Sequence, residues 1–191
     1  MLKDYILSDY KRCGIQKISI GVLFSTFYLQ PNPGLKFMTI FRLTQHYRRK
    51  NRMLFYFFFL WLRRLKVKYG FDISYRTQVG KGLYIGHFGN IVIHGDAVIG
   101  ENCNISQGMT IGVSNYGEKK GVPTIGSRVF IGPNAGVFGN ITIGNNVTIG
   151  ANAVVTENIA DGKTILPISF CHACLLCEPP PWGPGRKPTP F

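Results

Sequence analysis

Acidic side chains are scarce in this chain. Nine Asp and Glu stand against 22 Lys and Arg, for a formal net charge of +13. The shortage is local. Residues 1–70 hold two acids against fourteen bases, whereas residues 71–163 hold six of each. The positive charge therefore belongs to the N-terminal part, and it suits an anionic membrane surface, nucleic acid or an anionic substrate. Nucleic acid is not expected as a partner, because no helix-turn-helix and no aromatic–basic reading motif accompanies the charge. A non-catalytic scaffold using the same basic surface is the competing class. Long apolar runs are missing as well. The longest, Met53 to Leu62, is about half of the roughly 20 residues that cross a bilayer. Met1-Leu2-Lys3-Asp4-Tyr5 has no apolar core behind a basic opening, so no secretory leader is expected. Five cysteines form no paired framework, which suits a reducing cytosol. The expected location is cytoplasmic, with the inner face of a membrane as a variant.

Against these absences stands a strict rhythm. Isoleucine or valine returns every six residues at Val79, Ile85, then Ile93, Ile99, Ile105 and Ile111, and again at Ile125, Ile131, Val137, Ile143, Ile149 and Val155. Glycine often follows. A period of six fits neither a 3.6-residue helix nor a heptad; it is the signature of a β-helix with hexapeptide repeats. Each hexad gives one short strand and one turn, and three hexads close a triangular coil. The β-branched side chain is expected inside the prism, and Gly or Asn at the corner supplies positive φ. Two slips break the phase. Two residues are inserted near Gly89-Asn90, and residues 113–124 form an excursion, expected to be a loop on the working face.

The sequence divides into a basic helical preface at 1–70, the solenoid at 71–163 and an irregular Cys- and Pro-rich tail at 164–191. In the preface, Gln30-Pro31-Asn32-Pro33-Gly34 is a breaker. The pattern predicts a helix from Leu35 to Arg49 burying Phe37, Ile40, Phe41 and Thr44, and a second from Arg52 to Lys68. The second helix has two readings. It is a core helix packed on the first coil and on neighbouring subunits, or an interfacial helix whose flanking cations meet anionic headgroups in peripheral membrane contact. In the tail, Cys171, Cys174 and Cys177 lack a fourth cysteine, and His172 adjoins Cys171 too closely for one tetrahedral ion. No metal is expected.

Four histidines occur, and only His87 and His94 fall within the repeats. His87 follows Gly86 at a corner, just before the two-residue slip, where imidazole can act as a general base near neutral pH. Asp72 lies fifteen residues earlier, near one coil length. A carboxylate there can orient the imidazole and stabilise its charged form. His94, beside Ile93, reads as structural.

These residues carry a resemblance. Asp72-Ile73, Val79-Gly80-Lys81-Gly82, His87, Gly89-Asn90-Ile91-Val92-Ile93, Gln107-Gly108-Met109-Thr110-Ile111-Gly112 and Ile149-Gly150-Ala151-Asn152-Ala153 resemble the core of serine O-acetyltransferases, within the hexapeptide-repeat acyltransferase superfamily. The resemblance runs from about residue 34 to 160. It implies a mainly β fold, a left-handed parallel β-helix behind an α-helical preface, assembled as a homotrimer. It implies acetyl-CoA as co-substrate between subunits, with Gly112, Val113, Pro133, Asn134, Ala135 and Ala151 along its path. It implies His87 as base with Asp72 as its partner. Serine-specific relatives carry Asp before the catalytic His and a basic residue plus His before the proline that follows the excursion. Here those positions are Gly86 and Gly121-Val122, before Pro123. Glu118, Lys119 and Lys120 are the loop's candidate replacements. The departures favour a sugar hydroxyl, in surface-polysaccharide assembly, as acceptor; serine is the alternative. A carbonic anhydrase on the same solenoid would need three histidines on zinc, and the repeats hold two.

Overall fold

The computed structural model describes residues 2–29 and 32–167. Cys171, His172, Cys174 and Cys177 lie outside the described residues. Four α-helices, α1 (Leu2–Arg12), α2 (Ile20–Phe24), α3 (Pro33–Tyr47) and α4 (Arg52–Tyr69), precede fourteen short strands, β1 to β14 in chain order. A π-helical turn, Ser25–Leu29, continues α2.

The strands form three parallel sheets, and the chain visits them in rotation. The first sheet contains β1 (Phe71–Ile73), β4 (Ile91–Ile93), β7 (Thr110–Gly112), β10 (Gly136–Phe138) and β13 (Val154–Val155). The second contains β2 (Gln78–Val79), β5 (Val98–Ile99), β8 (Thr124–Ile125) and β11 (Thr142–Ile143). The third contains β3 (Tyr84–Ile85), β6 (Asn104–Ile105), β9 (Phe130–Ile131), β12 (Thr148–Ile149) and β14 (Thr164–Ile165). The result is a mainly β solenoid of about five turns, consistent with the left-handed β-helix expected.

Register explains the phase slips. Val137 pairs with Val155, eighteen residues on, which is the undisturbed coil. Phe71 pairs with Ile91, twenty residues on, so the first coil carries the two-residue insertion. Val98 pairs with Thr124, twenty-six residues on, so the excursion adds eight residues to one coil. Ser114 and Gly121 exchange backbone hydrogen bonds across its neck. Both insertions fall at corners, leaving the interior columns intact. Ile99, Ile125 and Ile143 stack in one column, and Ile105, Ile131 and Ile149 in another, all essentially buried. Burying a side chain of this size contributes about 1.5–3 kcal/mol.

The corners are chemically distinct. Between the second and third sheets, Gly82, Asn102, Arg128, Asn146 and Gly162 all have φ between 56° and 75°. Asparagine tolerates this left-handed region better than other non-glycine residues. Arg128 is the exception, and its Nε donates to Asn146 Oδ1 at 2.6 Å. A ladder of side-chain acceptors climbs the same edge. Ser127 Oγ accepts from Glu101 N, Asn145 Oδ1 from Ser127 N, and Asp161 Oδ1 from Asn145 N.

The preface closes the first coil. Phe37 meets Phe71 edge to face at 5.0 Å between centroids. The helix expected from Leu35 buries the face predicted, with Phe37, Ile40, Phe41 and Thr44 all sequestered. Arg42 is buried and fully engaged. Nε pairs with Asp9 Oδ2 at 2.9 Å, and its terminal nitrogens donate to Val79 O and Gly80 O. Asp9 Oδ1 also accepts from Gly82 N at 2.8 Å. Burial pushes the Asp9 carboxyl up, and Arg42 and the Gly82 amide pull against it. One buried pair thus ties α1, α3 and the first coil together. By contrast, α4 buries only Leu62 and Leu65. Among the described residues, no helix is long and apolar enough to cross a membrane.

Candidate active site

Two corners of the prism flank the first sheet, and the expected site residues divide between them. His87 lies at the corner between the third and first sheets, in the loop from β3 to β4. The loop is seated by Gly89 N donating to Tyr69 O and Ile91 N donating to Gly70 O, both at 3.0 Å. The ring of Phe88 lies 6.3 Å from that of Tyr69. His87 itself is exposed. Its imidazole is open to a ligand and is not sealed into the prism.

Pro133, Asn134, Ala135 and Ala151 occupy later coils of the same corner. Gly108 N donates to Gly89 O, Asn134 N to Gln107 O, and Asn152 N to Pro133 O, so each coil rests on the one before. Asn134 has φ 57° and is exposed, as is Ala151. The Ala135 side chain is 1 % exposed and points into the prism, and its carbonyl already accepts from Thr110 N. It supplies shape and no free hydrogen-bonding group.

Gly112 and Val113 belong to the other side, and Asp72, in the middle of β1, borders it. They line one open cavity of about 410 Å³ together with His94. His94 Nδ1 accepts from Asp96 N at 3.2 Å, which stabilises its turn as expected of a structural histidine. Asp72 projects outward from β1, opposite Val92. The structure does not join it to His87. Its carboxylate pairs with Lys66 Nζ, on α4, at 2.7 Å. Among the described residues no group hydrogen-bonds to His87. Asp72 also lines a neighbouring cavity of about 510 Å³ with Arg63, Lys66 and Asn90.

Sequence reasoning missed three features. Lys66 as a partner of Asp72 was hidden, because a helix-to-strand junction separates them. Lys119, a candidate for gripping an acceptor, is committed elsewhere. Its Nζ donates to Thr156 O at 3.1 Å and lies 3.7 Å from Glu157, tying the excursion to a later coil. Gln107 sits in the His87 corner one coil on, and its Oε1 is buried with no hydrogen-bond partner. Leaving such an acceptor dry costs about 1–3 kcal/mol. The Gln107-Gly108 pair inside the repeat was its only sequence signal. Among the described residues no cluster of His, Cys, Asp and Glu could hold a metal ion.

Comparison with known proteins agrees with the repeat pattern and the fold. A family model described as bacterial transferase hexapeptide (six repeats) matches residues 123–157. The serine acetyltransferase of Helicobacter pylori is 37% identical over 110 residues, covering 57% of this chain and 63% of that protein. The solved serine acetyltransferase of Neisseria gonorrhoeae in complex with serine superposes with a TM-score of 0.67 at 29% identity, over 85% of this chain and 65% of that one. Isoform 3 from Entamoeba histolytica, in complex with cysteine, gives 0.63 at 31%, over 89% and 58%. The chain carries hexapeptide repeats and is similar in sequence and fold to serine acetyltransferases. The hexapeptide-repeat chain spans less than two thirds of the length of these relatives.

Proposed function

We propose that this hexapeptide-repeat protein transfers an acetyl group from acetyl-CoA to a hydroxyl, with serine as the foremost acceptor. The observation that carries the reading is an exposed imidazole, His87, on the corner column that also presents Asn134 and Ala151. Similarity to serine acetyltransferases, one of them solved in complex with serine, favours serine over the sugar hydroxyl that the sequence departures suggested. In this reading His87 takes the proton from the acceptor hydroxyl as its oxygen attacks the thioester carbonyl. The tetrahedral oxyanion collapses, the C–S bond breaks, and His87 returns the proton to the departing thiolate. Asp72 supports the charged imidazole once its carboxylate leaves Lys66 and turns toward the loop. The donor's residues suit an extended chain: Gly112 and Ala151 are small, Val113 and Asn134 are exposed, and Ala135 faces the interior.

The two margins of the first sheet are roughly 10 Å apart for three residues at ~3.3 Å each. A neighbouring copy that faced its Gly112 and Val113 margin to this chain's His87 margin would add those two residues to the groove that already holds His87, Asn134 and Ala151. This supports a homotrimer. A sugar acceptor retains one specific argument, since Gly86, Gly121 and Val122 stand where serine enzymes grip the amino acid, and Lys119 is already tied down. Thiol release measured with acetyl-CoA and either serine or nucleotide sugars decides between them. Faster turnover with serine is expected. His87→Ala should lower it by about 10²–10⁴-fold; undiminished turnover would remove His87 as the base.

A further inference from the structure

The preface carries an apolar surface that its own chain leaves uncovered. On α4, Met53, Tyr56, Phe57 and Leu60 share one face at spacings of three and four, with exposures of 81%, 49%, 57% and 58%. On α2 and the π-helical turn, Ile20, Phe24 and Tyr28 follow one another at intervals of four, exposed by 87%, 56% and 74%. The two ridges are joined through Trp61, whose ring lies 5.4 Å from Phe27 and 6.1 Å from Phe57. Cations bracket the α4 ridge, with Arg49, Lys50 and Arg52 at its start and Arg63, Arg64 and Lys68 at its end. Among the described residues, Arg49, Lys50, Arg63 and Arg64 have no acidic partner. The region's two acids are used elsewhere, Asp9 by Arg42 and Asp4 in a contact of its own on α1, and Asp72, at the region's border, is used by Lys66.

An exposed aromatic and aliphatic ridge between cationic ends is what an interfacial helix presents to lipid. We infer that this face docks on an anionic bilayer surface, with the ridge entering the headgroup boundary and the flanking Arg and Lys pairing with lipid phosphates. Charge complementarity favours lipid over a second copy. Self-docking of this face would oppose surfaces drawn from a region with fourteen bases and two acids. The solenoid, with six of each over residues 71–163, carries no excess of acid to compensate. The inference does not depend on the acetyl-transfer reading.

The test is flotation of the full chain with phosphatidylglycerol-containing vesicles and with pure phosphatidylcholine vesicles. Binding to the former is expected, weakening as salt screens the charges. Arg49→Gln with Arg64→Gln should lower partitioning roughly thirtyfold, from the usual contribution of a cation near an anionic surface. Phe57→Ser with Leu60→Ser should lower it as well, while sedimentation in the absence of lipid stays unchanged. Three outcomes overturn the inference: no preference for anionic vesicles, unaltered partitioning of the arginine pair variant, or a change of assembly size in the serine pair variant. The last would assign the face to a second copy. The arginine variant, confined to exposed positions, keeps the test valid should the serine variant fold poorly.

Discussion

The most exacting positions of the wall have no side chain at all. Gly80, Gly100, Gly126 and Gly144 stack at one place in successive coils, each after a buried Val or Ile. A Cβ on Gly100 would lie 2.5 Å from Gly126 O, and the obstacle is backbone, so no rotamer relieves it. Gly100→Ala is expected to destabilise the fold by about 1–3 kcal/mol, the usual cost of an overpacked site, read as a lower denaturation midpoint with an unchanged m-value. Single residues also mark the limit of what the sequence conveys. The inward isoleucines were legible because a strict period of six assigns each a direction. The ion pair of Asp72 with Lys66 was not, because it depends on how a helix meets a strand, and no periodicity encodes that angle.

At the scale of elements, the ladder of acceptors along one edge ends in Asp161. Its carboxylate receives Asn145 N at 2.8 Å and Asn145 Nδ2 at 3.2 Å. These bonds from Asn145 hold its pKa below the ordinary aspartate value. A depressed folded pKa means that the stabilising contribution is complete above the unfolded value and is lost as pH falls through the folded one. Amide exchange at Asn145 is therefore expected to quicken, relative to interior coils, as pH drops below the usual aspartate range. Asp161→Asn should flatten that dependence, and an unchanged profile would place the protection elsewhere. The helices divide in how well the sequence announced them. The core side of α3 was readable, because Phe37, Ile40, Phe41 and Thr44 recur at helical spacing, but the helix buries nearly all of its circumference, Thr39 and Arg42 included. That of α4 was ambiguous, because ten apolar residues in succession cover every side of a helix, and the structure buries only Leu62 and Leu65 of the helix.

For the whole molecule, the separation of the expected site residues onto two margins of one sheet has a measurable corollary. If neighbouring prisms bring the margins together, sedimentation equilibrium will give three times the chain mass. Substituting Val92→Glu and Val154→Glu, which are 39% and 67% exposed on the intervening sheet, is expected to yield monomer with acetyl transfer lost and secondary structure retained. A monomeric variant of full activity would mean that one chain suffices. The fold was thus readable from the spacing of apolar residues. The candidate site residues stood in the sequence only as a roster of expectations, since the distances between corners appear when the coils are stacked.

Coils of eighteen, twenty and twenty-six residues run through this prism on the same three columns. Length is absorbed at the vertices. A protein so built can lengthen or trim a surface loop without disturbing the side chains of its interior. Recognition and stability are then free to change separately: the rim can be rewritten for a different ligand while the wall behind it stays as it is.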